Sequence, residues 1–107
     1  MSELQTLYNV IKQRKENFKE GSYTCYLFDK GIDKILKKCG EECAELIIAV
    51  KNNQSMEIKN EACDLIYHMM VLLVEKDIKW EEMTEILSQR SEKIGNLKTF
   101  HVVDKDS

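Results

Sequence analysis

Apolar residues recur at helical intervals along most of the chain, and these intervals define four main segments. Within each segment they stand three or four positions apart, which is the spacing that lines one side of a helix. The predicted helices span residues 3–18, 32–51, 56–75 and 80–94. The sequence contains no proline and no internal repeat. It therefore predicts an all-α bundle of four main helices over residues 1–95, with a C-terminal tail at 96–107.

The breaks between these helices carry turn signals. The polar run Ser22–Thr24 interrupts the apolar pattern after the first helix, and a short segment, Cys25–Lys30, leads to Gly31, where the second helix is expected to start. Between the second and third helices, Asn53 or Ser55 is expected to act as the N-cap, because both side chains can accept a hydrogen bond from a free backbone N–H.

The third predicted helix is apolar around its whole circumference between residues 62 and 74. Asp64 and His68 are the only strongly polar residues in this stretch, and Met69–Leu73 is continuously apolar. A helix with this pattern is expected to be buried on all sides. A single layer of four helices can hardly surround it, so the sequence predicts a homodimer that packs these helices at its centre.

Composition narrows the class of protein. A chain of 107 residues with 43% apolar and 33% charged content is typical of one globular domain. Its 16 basic and 19 acidic residues give a net charge of −3, so nucleic acid is not an expected partner. No stretch is long and apolar enough to span a bilayer, and the N-terminal residues lack the apolar core of a signal peptide. We expect a cytoplasmic protein without membrane association.

The cysteine spacing predicts neither a disulfide framework nor a zinc site, because no C-x-x-C pair is present. Cys39 and Cys43 lie one helical turn apart on the apolar face of the second predicted helix. Free cysteine packs like a small apolar residue, so both are expected to be buried there. The four cysteines are Cys25, Cys39, Cys43 and Cys63.

Four acidic residues form the most informative pattern in the chain. On a helical wheel, Glu42 and Glu45 fall at one edge of the apolar stripe of the second predicted helix, and Glu61 and Asp64 fall at the edge of the stripe of the third. A short turn makes these helices antiparallel neighbours, so the four carboxylates are predicted to converge. The face that carries the first pair also carries Lys34, Lys38 and Asn52.

Two interpretations of this pattern remain open from the residues alone. Clustered carboxylates repel one another unless a cation neutralises them, and oxygen ligands without thiolate or imidazole favour Mg²⁺ or Mn²⁺. Such a cluster beside lysines is typical of metal-assisted polyphosphate cleavage. Acidic residues three apart are also common on solvated helix faces that bind nothing.

Four stretches of the chain match a known pattern, which are Ser22–Thr24 (SYT), 31–35 (GIDKI), 38–45 (KCGEECAE) and 61–68 (EACDLIYH). On these stretches the chain resembles the all-α nucleoside triphosphate pyrophosphohydrolases of the MazG and dimeric dUTPase type, and more narrowly the phosphoribosyl-ATP pyrophosphatases of histidine biosynthesis. The resemblance covers about residues 4–94.

The resemblance implies a MazG-like four-helix bundle that works as an intertwined homodimer. The implied reaction is the hydrolysis of phosphoribosyl-ATP, the small-molecule nucleotide substrate, to phosphoribosyl-AMP and pyrophosphate with Mg²⁺. This is the second step of histidine biosynthesis. Some relatives carry a fused domain for the next step, and this chain is too short to hold one, so a separate phosphoribosyl-AMP cyclohydrolase is expected.

Chemistry and resemblance together assign expected roles to individual residues. The metal ligands are Glu42, Glu45, Glu61 and Asp64. The catalytic residues are Glu42 and Glu41, the second of which is expected to orient or deprotonate the attacking water. The substrate contacts are Ser22, Tyr23, Thr24, Lys34, Lys38, Asn52 and Arg14. Arg90 also matches a basic position of the family, although an arginine on a helix surface is commonly only solvated.

Two other functions compete with this interpretation. A house-cleaning pyrophosphohydrolase that acts on non-standard nucleoside triphosphates would use the same metal site without needing Ser22–Thr24. A non-catalytic helical dimerisation module would need neither that segment nor the four carboxylates. Pyrophosphate release from phosphoribosyl-ATP, compared with a panel of nucleotides, distinguishes the three.

Overall fold

The computed structural model describes residues 1–95, which form helices and, within that range, no strand. The prediction of an all-α fold is confirmed. The helices are α1 (Glu3–Glu16), α2 (Tyr23–Lys30), α3 (Ile32–Lys51), α4 (Ser55–Glu75) and α5 (Trp80–Gly95). The four predicted main helices correspond to α1, α3, α4 and α5. The predicted tail at 96–107 lies outside the described residues.

Helix α2 is the element that the apolar pattern missed. The segment expected to be a connection is helical from Tyr23, and Ser22 caps it, because its Oγ accepts a hydrogen bond from the backbone N–H of Cys25 at 3.2 Å. Two of its own residues, Cys25 and Leu27, are buried against the rest of the protein. A helix of eight residues spans little more than two turns, so it is too short to give a periodic signal.

The first helix is shorter than predicted. It ends at Glu16, and the backbone N–H of Asn17 closes it on the carbonyl oxygen of Gln13 at 2.8 Å. Phe18, which matched the helical spacing, lies beyond this end and is exposed. One apolar residue at the correct interval does not extend a helix when nothing packs against it.

The turn between α3 and α4 corrects the predicted cap. Asn53 ends α3 instead of starting α4. It adopts a left-handed φ of 55°, and its backbone N–H donates a hydrogen bond to the carbonyl oxygen of Val50 at 3.0 Å. Gln54 donates to the carbonyl oxygen of Ala49 at 3.4 Å, which completes a Schellman turn. Gln54 is the N-cap of α4 without a side-chain hydrogen bond, and Ser55 is already helical.

The hydrophobic core lies where α1 and α2 cross the hairpin formed by α3 and α4. The hydroxyl of Tyr8 donates a hydrogen bond to the carbonyl oxygen of Ile78 at 2.6 Å, which joins α1 to the connection between α4 and α5. Trp80 is buried against the same core at the start of α5. The buried core residues are Tyr8, Ile11, Leu27, Ile35, Met70, Val71, Leu73, Val74 and Trp80.

A single chain buries helix α4 on part of its circumference only, and the predicted homodimer stays a prediction. One chain already buries Met70, Val71 and Leu73, and it half-covers Met69 and Leu72. Helices α1, α2 and α3 pack against α4, and the half-covered residues leave apolar surface that a second chain would bury.

The uncovered apolar residues lie mainly on α3 and α5. Ile35 is buried, but Leu36, Ile47 and Val50 of the predicted α3 stripe are exposed, and so is Cys43. The burial expected for Cys43 is therefore wrong for the single chain, while Cys39 is half-buried. The physical reason is that α2 and α4 cover α3 on one side and no described element covers the other.

Within residues 1–95, no helix has both the length and the apolar content needed to cross a membrane.

Candidate active site

Three carboxylates meet between α3 and α4. Glu42 and Glu45 lie one turn apart on α3, and Glu61 lies on the facing side of α4. One carboxylate oxygen from each lies within 4.8 Å of the others. Glu42 is buried, with 6% of its surface exposed, Glu61 is half-buried and Glu45 is exposed. We call Glu42, Glu45 and Glu61 the carboxylate cluster.

The carboxylate cluster has the properties of a cation site. Oε2 of Glu42 and Oε2 of Glu61 are buried and accept no hydrogen bond from the described residues. Hydrogen bonding to Glu45, then burial and hydrogen bonding to Glu42, raise the pKa of Glu61 from 4.5 to about 7. The pKa rises because adjacent carboxylates resist ionising together. A divalent cation would relieve this repulsion and satisfy the orphaned oxygens, so the residues present fit Mg²⁺ or Mn²⁺.

Lys38 and Glu41 lie beside the carboxylate cluster. Nζ of Lys38 is 3.2 Å from Oε2 of Glu41 and 3.8 Å from Oε1 of Glu42. The hydrogen bond to Glu41 raises the pKa of Lys38, so this lysine stays charged at neutral pH. Glu41 also lies 3.9 Å from Lys37. Its carboxylate therefore faces lysines and does not join the carboxylate cluster.

Other residues predicted for the site are less close to the carboxylate cluster. Asp64 is exposed and lies outside the group of three. Lys34 is half-buried and forms no ion pair within residues 1–95. Asn52 is the C-cap of α3, seven residues beyond Glu45, which corresponds to about 10 Å along the helix axis.

The first turn of α2 connects to α4 through two hydrogen bonds. The hydroxyl of Tyr23 lies 3.1 Å from Nε2 of His68, and the hydroxyl of Thr24 bonds to that of Tyr67. Burial raises the pKa of Tyr23, and among the charges that act on it Lys38 opposes this rise while Glu42 adds to it. Tyr23 thus stands within the electric field of the carboxylate cluster.

The comparison with known proteins decides the family. The model of the phosphoribosyl-ATP pyrophosphohydrolase family matches residues 4–91. The chain belongs to this family. It is similar to curated proteins named phosphoribosyl-ATP pyrophosphatase. One from Clostridium novyi is 57% identical over 95 residues, covering 89% of this chain and 86% of the relative. One from Streptococcus gordonii is 53% identical over 102 residues, covering 95% of this chain and 98% of the relative.

A further relative, from Clostridium acetobutylicum, bears the same name and is 58% identical over 95 residues, covering 89% of this chain and 86% of the relative. The match to the family model, over residues 4–91, includes both helices that contribute to the carboxylate cluster. It also covers the first turn of α2, which the apolar pattern did not recognise as helical.

Arg14 lies apart from the carboxylate cluster, at the turn between α1 and α2. There it lines an open surface cavity of about 260 Å³ together with Lys19, Glu20, Gly21 and Ser22. Ser22 belongs both to this cavity and to the range that matches the family model. The cavity brings the expected contacts Arg14 and Ser22 together.

Two residues of the site were not assigned by sequence reasoning. Sequence reasoning gave neither His68 nor Tyr67 a role in the site. The signal was present, because both stand at the end of the 61–68 stretch that carries the family resemblance. Only the crossing of α2 over α4 reveals that they bond to Tyr23 and Thr24.

Proposed function

We propose that the protein hydrolyses phosphoribosyl-ATP to phosphoribosyl-AMP and pyrophosphate, the second step of histidine biosynthesis. Family membership over residues 4–91 supports the substrate. The observation that carries the chemistry is the carboxylate cluster with its two orphaned buried oxygens, because such a site favours a hard divalent cation next to a polyphosphate.

Glu42, Glu45 and Glu61 would hold Mg²⁺, or Mn²⁺ in its place, and Asp64 is proposed as a further ligand from the neighbouring turn of α4. When bound, the cation supplies positive charge that neutralises the carboxylates and the substrate phosphates. Asp64 is exposed and hence free to turn towards the carboxylate cluster.

The chain's own residues bind and orient the nucleotide in this proposal. Lys38 is charged and adjacent to Glu42, which places a cation where phosphate oxygens would lie. Lys34 stands one turn earlier on α3. Glu41 is proposed to orient or deprotonate the attacking water, with Lys38 holding its carboxylate in place. The proposed remaining substrate contacts are Ser22, Tyr23, Thr24, Asn52 and Arg14.

We propose that the protein acts as a homodimer. Ile47, Ile48 and Val50 on α3 are each more than half exposed, and Leu87 on α5 is 53% exposed. Exposed apolar residues on two helices of one small protein favour association with a second copy, which buries them. This argument adds to the one drawn from the half-covered residues of α4.

The proposed setting is the cytoplasm, since the four cysteines are free thiols, as is usual in a reducing compartment. The product, phosphoribosyl-AMP, would pass to a separate phosphoribosyl-AMP cyclohydrolase. Neither nucleic acid nor membrane is a proposed partner.

The experiment that tests the proposed function measures pyrophosphate release by the purified protein with Mg²⁺. Phosphoribosyl-ATP is compared with ATP, dUTP and a panel of non-standard nucleoside triphosphates. We expect kcat/KM to be highest for phosphoribosyl-ATP. Equal or higher kcat/KM for a non-standard nucleotide would favour the house-cleaning activity, and no hydrolysis of any substrate would favour a non-catalytic module.

A further inference from the structure

His68 is a buried polar side chain next to the proposed site, with 5% of its surface exposed. Burying a polar ring costs free energy unless its nitrogen atoms have hydrogen-bond partners. Both nitrogens of His68 have one. Nδ1 lies 2.7 Å from the backbone oxygen of Asp64, and Nε2 lies 3.1 Å from the hydroxyl oxygen of Tyr23. His68 therefore joins α4 to α2.

For a neutral His68 ring, the partner of Nδ1 sets the direction of both hydrogen bonds. The carbonyl oxygen of Asp64 can only accept, so Nδ1 of His68 carries the hydrogen. In the neutral ring Nε2 is then an acceptor, and the hydroxyl of Tyr23 donates to it. The buried ring thus selects one orientation of the tyrosine hydroxyl.

Neighbouring contacts make the attachment rigid. Thr24 bonds to Tyr67, so two consecutive residues of α2 bond to two consecutive residues of α4. The ring of His68 packs edge-on against two tyrosine rings. Its centroid lies 4.9 Å from the ring centroid of Tyr67 and 5.8 Å from that of Tyr23. Two hydrogen bonds and this aromatic packing hold the first turn of α2 in one position.

We propose that His68 is a positioning residue, which holds the Ser22–Thr24 turn beside the carboxylate cluster by accepting the hydrogen bond of Tyr23. The inference rests on the proposed function, because that turn is where the nucleotide is proposed to bind. In this proposal His68 binds neither the substrate nor the cation itself. Its effect passes through Tyr23, on which the charges of Lys38 and Glu42 act.

The first test reads the hydrogen bond without using activity. The sequence contains two histidines, His68 and His101, so His101→Gln leaves a single imidazole to observe by ¹⁵N NMR. We expect the Nδ1–H tautomer at His68, and a shift of the Nε2 resonance on Tyr23→Phe. The matched control is Tyr26→Phe, which alters a stacked neighbour on the same helix and should leave the resonance unchanged. An Nε2–H tautomer, or no response to Tyr23→Phe, would overturn the inference.

The second test measures the consequence for the nucleotide. We expect Tyr23→Phe and His68→Leu each to raise KM for phosphoribosyl-ATP about tenfold, with kcat within about twofold of wild type. The double variant should lose no more than Tyr23→Phe alone, since His68 acts only through the hydroxyl that this variant removes. His68→Gln, which can still accept from Tyr23, should recover most of the loss.

Three results would contradict the positioning role. The first is a rise in KM that multiplies in the double variant, and the second is a His68→Gln protein whose KM is as high as that of His68→Leu. The third is a loss of Mn²⁺ affinity in these variants as large as their loss of activity. Mn²⁺ binding is measured by titration calorimetry on the same variants. If wild type does not hydrolyse phosphoribosyl-ATP, the proposed function fails, whereas the NMR result still decides the hydrogen bond by itself.

Discussion

At the scale of single residues, the carboxylate cluster places mutually repelling groups where water reaches only part of them. Glu42 is buried and its Oε2 has no described partner, and the same holds for Oε2 of Glu61. Leaving a buried carboxylate oxygen without a partner costs free energy, which folding of the metal-free chain has to offset. The proposed cation would remove both penalties.

Glu42→Gln tests this arrangement. We expect the variant to lose at least about 100-fold in kcat/KM, because it removes a charge that the cation needs. The metal-free variant should unfold at an equal or higher temperature than wild type, since the repulsion falls and the new amide can donate to the neighbouring carboxylates. Asp64→Asn is expected to lose activity in the same way.

Glu85→Gln is the control for these variants, since Glu85 is an exposed glutamate of α5. It should keep wild-type activity and stability. Turnover of Glu42→Gln or Asp64→Asn at the wild-type rate in limiting Mg²⁺ would show that the altered residue is not a ligand.

The raised pKa of Glu61 predicts the pH dependence of the metal-free protein. Its pKa is about 7 in the folded chain and near 4.5 when unfolded. Between these values the folded state binds more protons than the unfolded state, so stability is highest below about pH 4.5 and decreases as pH rises towards 7. Thermal unfolding in EDTA should show this decrease, and Glu61→Gln should flatten it.

Saturating Mg²⁺ should reverse the trend, because the bound cation favours the ionised carboxylates. Mg²⁺ affinity should accordingly weaken as pH falls below about 7, where a proton competes for Glu61. A metal-free protein that gains stability from pH 5 to pH 7 by the action of Glu61 would contradict the assignment.

Much of the carboxylate cluster was predictable, because helical geometry alone places Glu42 and Glu45 on one edge of a helix and Glu61 on the edge of the next. The exclusion of Asp64 from the carboxylate cluster was not predictable. Asp64 follows Glu61 by three residues, so their side chains point about 60° apart around α4, and a helical wheel does not show which of the two faces α3. The pairing of Tyr23 with His68 depends on how α2 crosses α4, which no periodicity encodes.

At the scale of elements, α2 passes directly into α3 through Gly31. This residue adopts φ 94° and ψ −175°, a region that essentially only glycine occupies. It is at once the C-cap of α2 and the N-cap of α3. The direction in which α2 leaves α3 therefore depends on the conformation of Gly31, and the contacts of Tyr23 and Thr24 with α4 add to it.

Gly31→Ala is expected to lower the free energy of unfolding by about 1–3 kcal/mol. A methyl group at this position would meet no heavy atom within 4 Å, so the cost is backbone strain and not a steric clash. Gly40→Ala is the matched control, because Gly40 lies inside α3 and an added methyl group there also meets nothing within 4 Å.

Gly40→Ala should raise the free energy of unfolding by about 0.5–1 kcal/mol, since alanine favours the helix more than glycine does. Urea unfolding of the two variants checks both signs. A Gly31→Ala protein as stable as wild type would show that the left-handed conformation is not required.

The long helices were predictable and the short one was not. The bounds predicted for α3 match the structure, and those of α4 differ by one residue at the N-terminus. Twenty residues of α3 give more than five turns of periodic signal, whereas α2 gives little more than two. The turn after α3 misled the cap assignment because asparagine serves both as an N-cap and as a left-handed helix end.

At the scale of the whole molecule, one chain leaves apolar surface on α3 and α5 uncovered. Every residue from Thr84 to Ile94 is exposed, including Ile86 and Leu87. Trp80 and Met83 hold the start of α5 on the core, and the rest of the helix extends away from it. A protein of this size gains much of its stability from any further burial that a second copy provides.

We expect sedimentation equilibrium at micromolar concentration to give a dimer, and the melting temperature to rise with protein concentration. Ile47→Glu should shift the equilibrium towards monomer, because it would bury a charge at the interface. Lys59→Glu, at an exposed position of α4, is the control and should leave the monomer–dimer equilibrium unchanged. A stable wild-type monomer at this concentration would contradict the dimer.

The central claim is that water attacks the α-phosphorus of phosphoribosyl-ATP, so that the bond from this phosphorus to the bridging oxygen breaks and pyrophosphate leaves intact. The sequence has no G-x-x-x-x-G-K-[ST] loop to hold a nucleotide for γ-phosphoryl transfer. Hydrolysis in ¹⁸O-labelled water tests the claim most directly, with both products analysed by mass spectrometry. The account predicts label in phosphoribosyl-AMP and none in pyrophosphate. Label in pyrophosphate, or orthophosphate as the first product, would contradict it.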